Sequence, residues 1–79
     1  MDARNYGINE QEANDLAKRF SYHSPKEDQP SRYADIRAMA KALAETITRS
    51  VPNGREKSLA LTNLEEAVMW ANAGIARNE

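Results

Sequence analysis

Apolar side chains recur along this chain at helical intervals, not at the alternating intervals of a strand. The positions Tyr33, Ile36, Ala40, Leu43 and Ile47 step by three and four residues, and the same steps return at Leu61, Leu64, Val68, Ala71 and Ile75. Each series draws one narrow apolar stripe along a helix, the kind of seam by which two helices pack. A shorter series, Ala13, Leu16, Ala17 and Phe20, marks a first helix. The pattern predicts helices over residues 9–20, 30–49 and 54–77. Residues 1–8 carry no such pattern and are expected to be flexible.

The punctuation agrees with this division. Asn9 followed by Glu12 has the spacing of a capping box. Pro25 and Pro30 bracket a polar connector, with a turn expected at 25–28 and regular helix from about Pro30. Ser50-Val51-Pro52-Asn53-Gly54 reads as a tight turn between two long helices, with Asn53 expected to cap the third helix and Glu56 three residues on. Two antiparallel helices on a short turn make an αα-hairpin. The expected fold is therefore all-α: one domain over residues 1–79, a short N-terminal helix followed by a long antiparallel helical hairpin.

The third helix carries more apolar surface than one partner covers. Leu59, Met69 and Trp70 lie off the seam, and Ala60, Ala67 and Gly74 repeat at sevenfold spacing beside Ala71 and Ala73. Either the short first helix or other copies of the chain must cover that face. Size favours self-association. A domain of 79 residues buries only about 60–65% of its unfolded surface. It has no cysteine and one histidine, His23, so disulfides, thiolate metal sites and histidine clusters are excluded as reinforcement. A homo-oligomer is expected, with no cofactor.

Charge narrows the partners. With 11 basic and 12 acidic residues the chain has no global basic field, which disfavours long nucleic acid. Mean hydropathy is −0.80, no apolar run approaches a membrane span, and MDARNYGINEQ has no signal-peptide core. A cytosolic protein is expected.

Catalysis finds little support. Glu65 and Glu66 are neighbours on a helix, so their carboxylates diverge by about 100°. His23 has no acid fixed beside it by spacing, and Gly54-Arg55-Glu56-Lys57 is no phosphate loop. Recognition chemistry is richer. Tyr22, His23 and Pro25 offer flat surfaces for stacking, with Lys26 and Arg32 nearby. Tyr33, Arg37 and Lys41 fall on one helix face at i, i+4 and i+8. A ring beside cations suits a nucleotide: the ring stacks on a base and the cations bond the phosphate. From the residues alone, a core Tyr33 with a solvated Arg37–Lys41 edge is the stronger reading. Arg77 has the ordinary role of complementing a helix dipole, yet copies of it brought together by symmetry would need a shared anion.

The stretch Ser58–Arg77, with LEEAVMWANA at its centre, closely resembles the C-terminal helix of the phage anti-CBASS cyclic-oligonucleotide sponge family. Phe20–Pro25 and Arg32–Arg37 are similar to that family's connector and second-helix start, so the resemblance covers roughly residues 20–78. It implies a compact homohexamer. That assembly binds cyclic dinucleotides such as cyclic GMP-AMP between protomers, and cyclic trinucleotides on a threefold axis. The ligand is held without cleavage, blocking CBASS immunity in the cytoplasm of the infected bacterium. The resemblance implies Tyr22 as the stacking ring and Arg37 as a phosphate partner; with Pro25, Lys26 and Lys41 added from the recognition chemistry above, these make the expected cyclic dinucleotide site. The implied trinucleotide residue is Arg77, opposite a hydroxyl donor from early helix two, where this chain has Ala38 and Met39. The alternative is a small helical oligomerisation or protein-partner-binding module without a nucleotide ligand. A hydrolase of cyclic nucleotides would need convergent acids, paired histidines or a nucleophile constellation, which the sequence lacks.

Overall fold

The computed structural model describes residues 7–79, so most of the 1–8 segment expected to be flexible lies outside the described residues. Three helices follow in order: α1 (Glu10–Phe20), α2 (Gln29–Ser50) and α3 (Arg55–Asn78). No residue among those described is in a strand.

α1 starts where its cap chemistry directs. Asn9 Oδ1 accepts the Glu12 N–H at 2.8 Å, and Glu12 Oε1 accepts the Asn9 N–H at 3.1 Å. This satisfies two backbone donors that the first turn otherwise leaves unpaired. Glu10 and Glu12 sit in the first turn and Lys18 and Arg19 in the last, each favourable to the helix dipole. The connector then folds back. His23 Nε2–H donates to the Lys18 carbonyl at 2.9 Å, and the Gln29 N–H closes a turn on the Lys26 carbonyl at 3.0 Å. Glu27 occupies the left-handed region in that turn, with φ 52°. α2 begins immediately afterwards, with Pro30 in the first turn, where its missing N–H costs no helical bond.

The hairpin turn differs from expectation in one detail. Asn53 does not cap α3. The N-cap is Gly54, without a side-chain bond, and Asn53 Oδ1 instead accepts Lys57 Nζ at 2.9 Å. The chain has turned one residue further than the capping pattern implied, and the amide is then too far back to reach the first-turn donors.

α2 and α3 pack along their lengths as the hairpin. Ala40, Leu64 and Val68 lie at the seam, since they line the grooves on both of its faces. One face, flanked by Tyr33, Arg37 and Lys41 on α2 and by Thr62, Glu65 and Asn72 on α3, is polar and cationic. The opposite face is an apolar groove of about 750 Å³ flanked by Ile36, Met39, Leu43, Ala67 and Ala71.

No hydrophobic residue among those described is buried. Leu43 and Ala71, expected in the seam, are exposed, because two helices shield only a narrow stripe of each other. α1 does not supply the missing cover: Trp70 remains 62% and Met69 65% exposed, and α1's own Phe20 is 82% exposed. The Cα atoms spread over 53 × 41 × 14 Å with a radius of gyration of 18.3 Å, whereas a compact chain of this length would have about 12 Å. A thin plate results, with an apolar and a cationic side.

Candidate functional site

A cluster of polar and cationic side chains gathers at the open end of the hairpin, away from the 51–54 turn. There the connector, the start of α2 and the end of α3 meet. Their anchor is Gln29, the one residue among those described that is buried, at 3% exposure. Its Oε1 accepts the Lys26 N–H at 3.1 Å, and its Nε2 donates to Glu79 Oε1 at 3.1 Å. Arg32 grips the same Glu79 carboxylate with both terminal nitrogens, one at 2.8 Å to Oε2, and also pairs with Asp28 at 3.2 Å. Lys26 Nζ donates to the Glu79 main-chain oxygen at 2.9 Å. Hydrogen bonds from Arg32, then Gln29, hold the Glu79 carboxyl down at about 2, and the Arg32 guanidinium is raised in return, chiefly by the Glu79 carboxylate.

Three contiguous grooves open around this clamp. The first, about 390 Å³, is lined by His23, Ser24, Pro25, Lys26, Ala76 and Arg77, with Glu79 at its edge. The second, also about 390 Å³, lies between Tyr33 and Arg37 on α2 and Asn72, Ala73 and Ala76 on α3. The third, about 240 Å³, separates Asp15, Lys18 and Arg19 of α1 from Arg77 and Asn78. The first two share Ala76, and the first and third share Arg77. Alanine at 73 and 76 leaves room that a longer side chain would fill. The end of this small plate therefore gathers Lys18, Arg19, Lys26, Arg37 and Arg77 along one connected set of depressions.

The residues expected from sequence are divided among these features. Pro25, Lys26 and Arg77 come together in the first groove, and Arg37 stands in the second with Tyr33. Lys41 lies further along the same face, in a separate groove of about 360 Å³ with Ala44, Thr62 and Glu65. The Tyr22 side chain is 85% exposed and lines none of these grooves. The Arg77 guanidinium lies 6.0 Å from the centroid of the Trp70 ring, whose Nε1–H donates to Glu66 Oε1 at 3.2 Å. Cation and ring thereby hold each other at the helix end.

Three polar residues escaped the sequence reading. Gln29 and Glu79 form the clamp from positions fifty apart, which no local pattern reveals. Asn72 is the third. It lines the second groove, and its Oδ1 is buried without a hydrogen-bond partner, a condition that costs about 1–3 kcal/mol when nothing satisfies it. Its only sequence signal is a carboxamide interrupting the alanines of α3. Among the described residues, no group of three or more His, Asp or Glu is placed to hold a metal ion, and no helix is long and apolar enough to cross a membrane.

Comparison with known proteins gives one positive finding. The family model for the Acb2/Tad1 hairpin domain matches residues 12–76, which span α2 and most of α1 and α3. No curated protein and no solved structure matches the chain.

Proposed function

The chain belongs to the Acb2/Tad1 hairpin family, a binding family known for anti-CBASS capture of cyclic oligonucleotides, and from that premise we propose that it sequesters cyclic dinucleotides intact. Cyclic GMP-AMP and its relatives are the proposed ligands, with cyclic trinucleotides at a second type of site. Uptake in the cytoplasm of the infected bacterium keeps the messenger from its effector.

The observation that carries this reading is the connected set of cationic grooves at the open end. A cyclic dinucleotide presents two phosphates, two flat bases and a rigid ring. Arg37 beside Tyr33 offers a guanidinium and a ring within one turn of α2, the pair a phosphate and its base require. Pro25 forms an apolar wall and Lys26 a further cation in the neighbouring groove. Tyr22 is the proposed stacking ring, projecting beyond its own chain, and Lys41 a phosphate partner further along the face. Because Tyr22 and Lys41 stand apart from the Arg37 groove, one complete pocket requires side chains from more than one copy. This supports pockets at the seams between copies, in an assembly proposed to be a homohexamer. Arg77 is the proposed trinucleotide contact. The threefold site would lack a hydroxyl from positions 38 and 39, which are Ala and Met.

Rigidity favours tight capture, since neither a cyclic ligand nor a helical pocket loses much freedom on binding. The exposed Met39–Leu43 groove favours a second reading, a partner-binding module without nucleotide. Calorimetry with cyclic GMP-AMP separates them: saturable binding supports the sponge, and no heat at high micromolar ligand with any cyclic di- or trinucleotide refutes it. Chromatography of the ligand after denaturing the complex must return it unhydrolysed, and linear products would overturn sequestration.

A further inference from the structure

We propose that the Glu79 carboxylate is an internal competitor of the ligand: it fills a phosphate seat made by Arg32 and Lys26, and a phosphate of the bound cyclic nucleotide displaces it. This inference rests on the cyclic-nucleotide reading and adds Arg32 to the residues that hold the ligand.

The seat already holds an anion. Arg32 grips the Glu79 carboxylate with both terminal nitrogens, and Gln29 Nε2 donates to Glu79 Oε1 at 3.1 Å. Lys26 Nζ donates to the Glu79 main-chain oxygen at 2.9 Å. A guanidinium fork with an ammonium beside it is equally the contact set of a phosphate. The seat is also built in advance. Gln29 is 3% exposed, and its Oε1 accepts the Lys26 N–H at 3.1 Å, which orients its amide independently of Glu79. One other carboxylate, that of Asp28, lies 3.2 Å from the Arg32 guanidinium. With Glu79 displaced, two cations face that single carboxylate, and one phosphodiester balances the positive charge left over.

Position joins this seat to the proposed ligand site. Glu79 lines the same groove of about 390 Å³ as Pro25, Lys26 and Arg77. Its carboxylate therefore opposes a phosphate entering that groove, and its main-chain oxygen occupies the Lys26 ammonium, a proposed ligand contact. The Arg32 and Glu79 side chains are 38% and 41% exposed, so exchange there requires no opening of a core. Ion pairs this open to water contribute little, and a ligand with two phosphates and two bases has further contacts to set against them. Replacing one carboxylate by one phosphodiester leaves the charge of the seat unchanged and removes the repulsion.

The test compares wild type, Glu79→Gln and Glu79→Gln/Arg32→Gln by calorimetry with cyclic GMP-AMP. Glu79→Gln keeps the size of the side chain and removes its charge. It is expected to bind about 3–10-fold more tightly than wild type, the weight of an exposed ion pair. Adding Arg32→Gln should cancel that gain, because the seat has then lost its fork. Light scattering and circular dichroism should show the mass and helicity of wild type for both variants. Equal or weaker binding by Glu79→Gln overturns the assignment, since a clamp that merely supports the groove acts with the opposite sign. So does a gain that survives Arg32→Gln, or a Glu79→Gln protein that loses mass or helicity. Wild-type protein that binds no member of a cyclic di- and trinucleotide panel refutes the proposed function itself, and this assignment with it.

Discussion

Replacing Leu43 by aspartate is expected to dissociate the protein, and the size of the effect follows from exposed surface. A compact protein of 8.9 kDa has an accessible surface of about 4,800 Å². This chain exposes 6701 Å², an excess of roughly 1,900 Å². A standard interface covers about 800 Å² on each partner, so the excess corresponds to more than one neighbour per chain. Leu43 stands at the centre of the apolar side and is 50% exposed in a single copy. Burying that remaining half contributes about 1 kcal/mol, half the value of a whole leucine. An unpaired carboxylate in its place costs several kcal/mol more. Together these shift each contact by roughly 4–5 kcal/mol, about a thousandfold in association.

Light scattering at micromolar concentration reads the outcome. Wild-type protein is expected as an assembly, Leu43→Ala as one with weakened association, and Leu43→Asp as lower-mass species. Because no hydrophobic residue among those described is buried within one copy, helicity should fall together with mass, and the wild-type melting midpoint should rise with protein concentration. A wild-type monomer that melts at the same temperature at every concentration would refute the reasoning, as would Leu43→Asp protein of wild-type mass.

The remaining predictions address the cap, the clamp and the stacking ring. Asn9→Ala removes the side-chain acceptor of the capping box, leaving only the Asn9 N–H bond to Glu12, and should destabilise α1 by about 0.5–2 kcal/mol, read as increased amide exchange confined to the 10–14 segment. The Glu79 carboxyl is depressed from 4.5 to about 2 by its bonds to Arg32 and Gln29. The clamp's contribution is thus fully present above the ordinary carboxylate range and is lost as pH falls from there towards 2. NMR titration of Glu79 should give a midpoint well below the ordinary carboxylate range, and Glu79→Gln should abolish the acid-dependent loosening of residues 26–32; a Glu79 midpoint in the ordinary range would contradict the clamp. Tyr22→Ala should weaken cyclic GMP-AMP binding by about 1–3 kcal/mol, the loss of one stacked base, with helicity unchanged by circular dichroism.

What the sequence disclosed and what it withheld divide along the range of the interactions. The three helices were legible because apolar spacing and the Asn9–Glu12 pair act within a few residues. The hairpin followed from two matching seams on a short turn. Coverage was not legible. The choice between α1 and other copies for Trp70 and Met69 depends on where a polar connector aims α1, and the His23–Lys18 bond and the left-handed Glu27 set that direction. Asn53 misled for a related reason: the residue type fits a cap, but the exact end of the turn decides whether it reaches. At the site, Tyr33 and Arg37 shared a visible helix face, whereas Asn72 joins them only through α2–α3 packing. Gln29 and Glu79 lie outside every periodic segment and meet through the closure of the open end.

The two faces of the plate then have separable roles. In the proposed assembly the apolar side that Ile36, Met39 and Leu43 present is the one that association covers. That leaves the cationic side and the open end as the surfaces at which a polar ligand enters. Net charge of −1 disfavours long nucleic acid there, while Lys26 and Arg77 line one groove and Arg37 the adjoining one, where the proposed ligand is a small dianion. In a symmetric assembly such cations repel one another unless an anion is shared, so ligand and assembly reinforce each other. Cyclic GMP-AMP should accordingly raise the melting midpoint by more in the assembled wild type than in Leu43→Ala, whose association is weakened, and an equal rise in both would place the whole pocket within one copy.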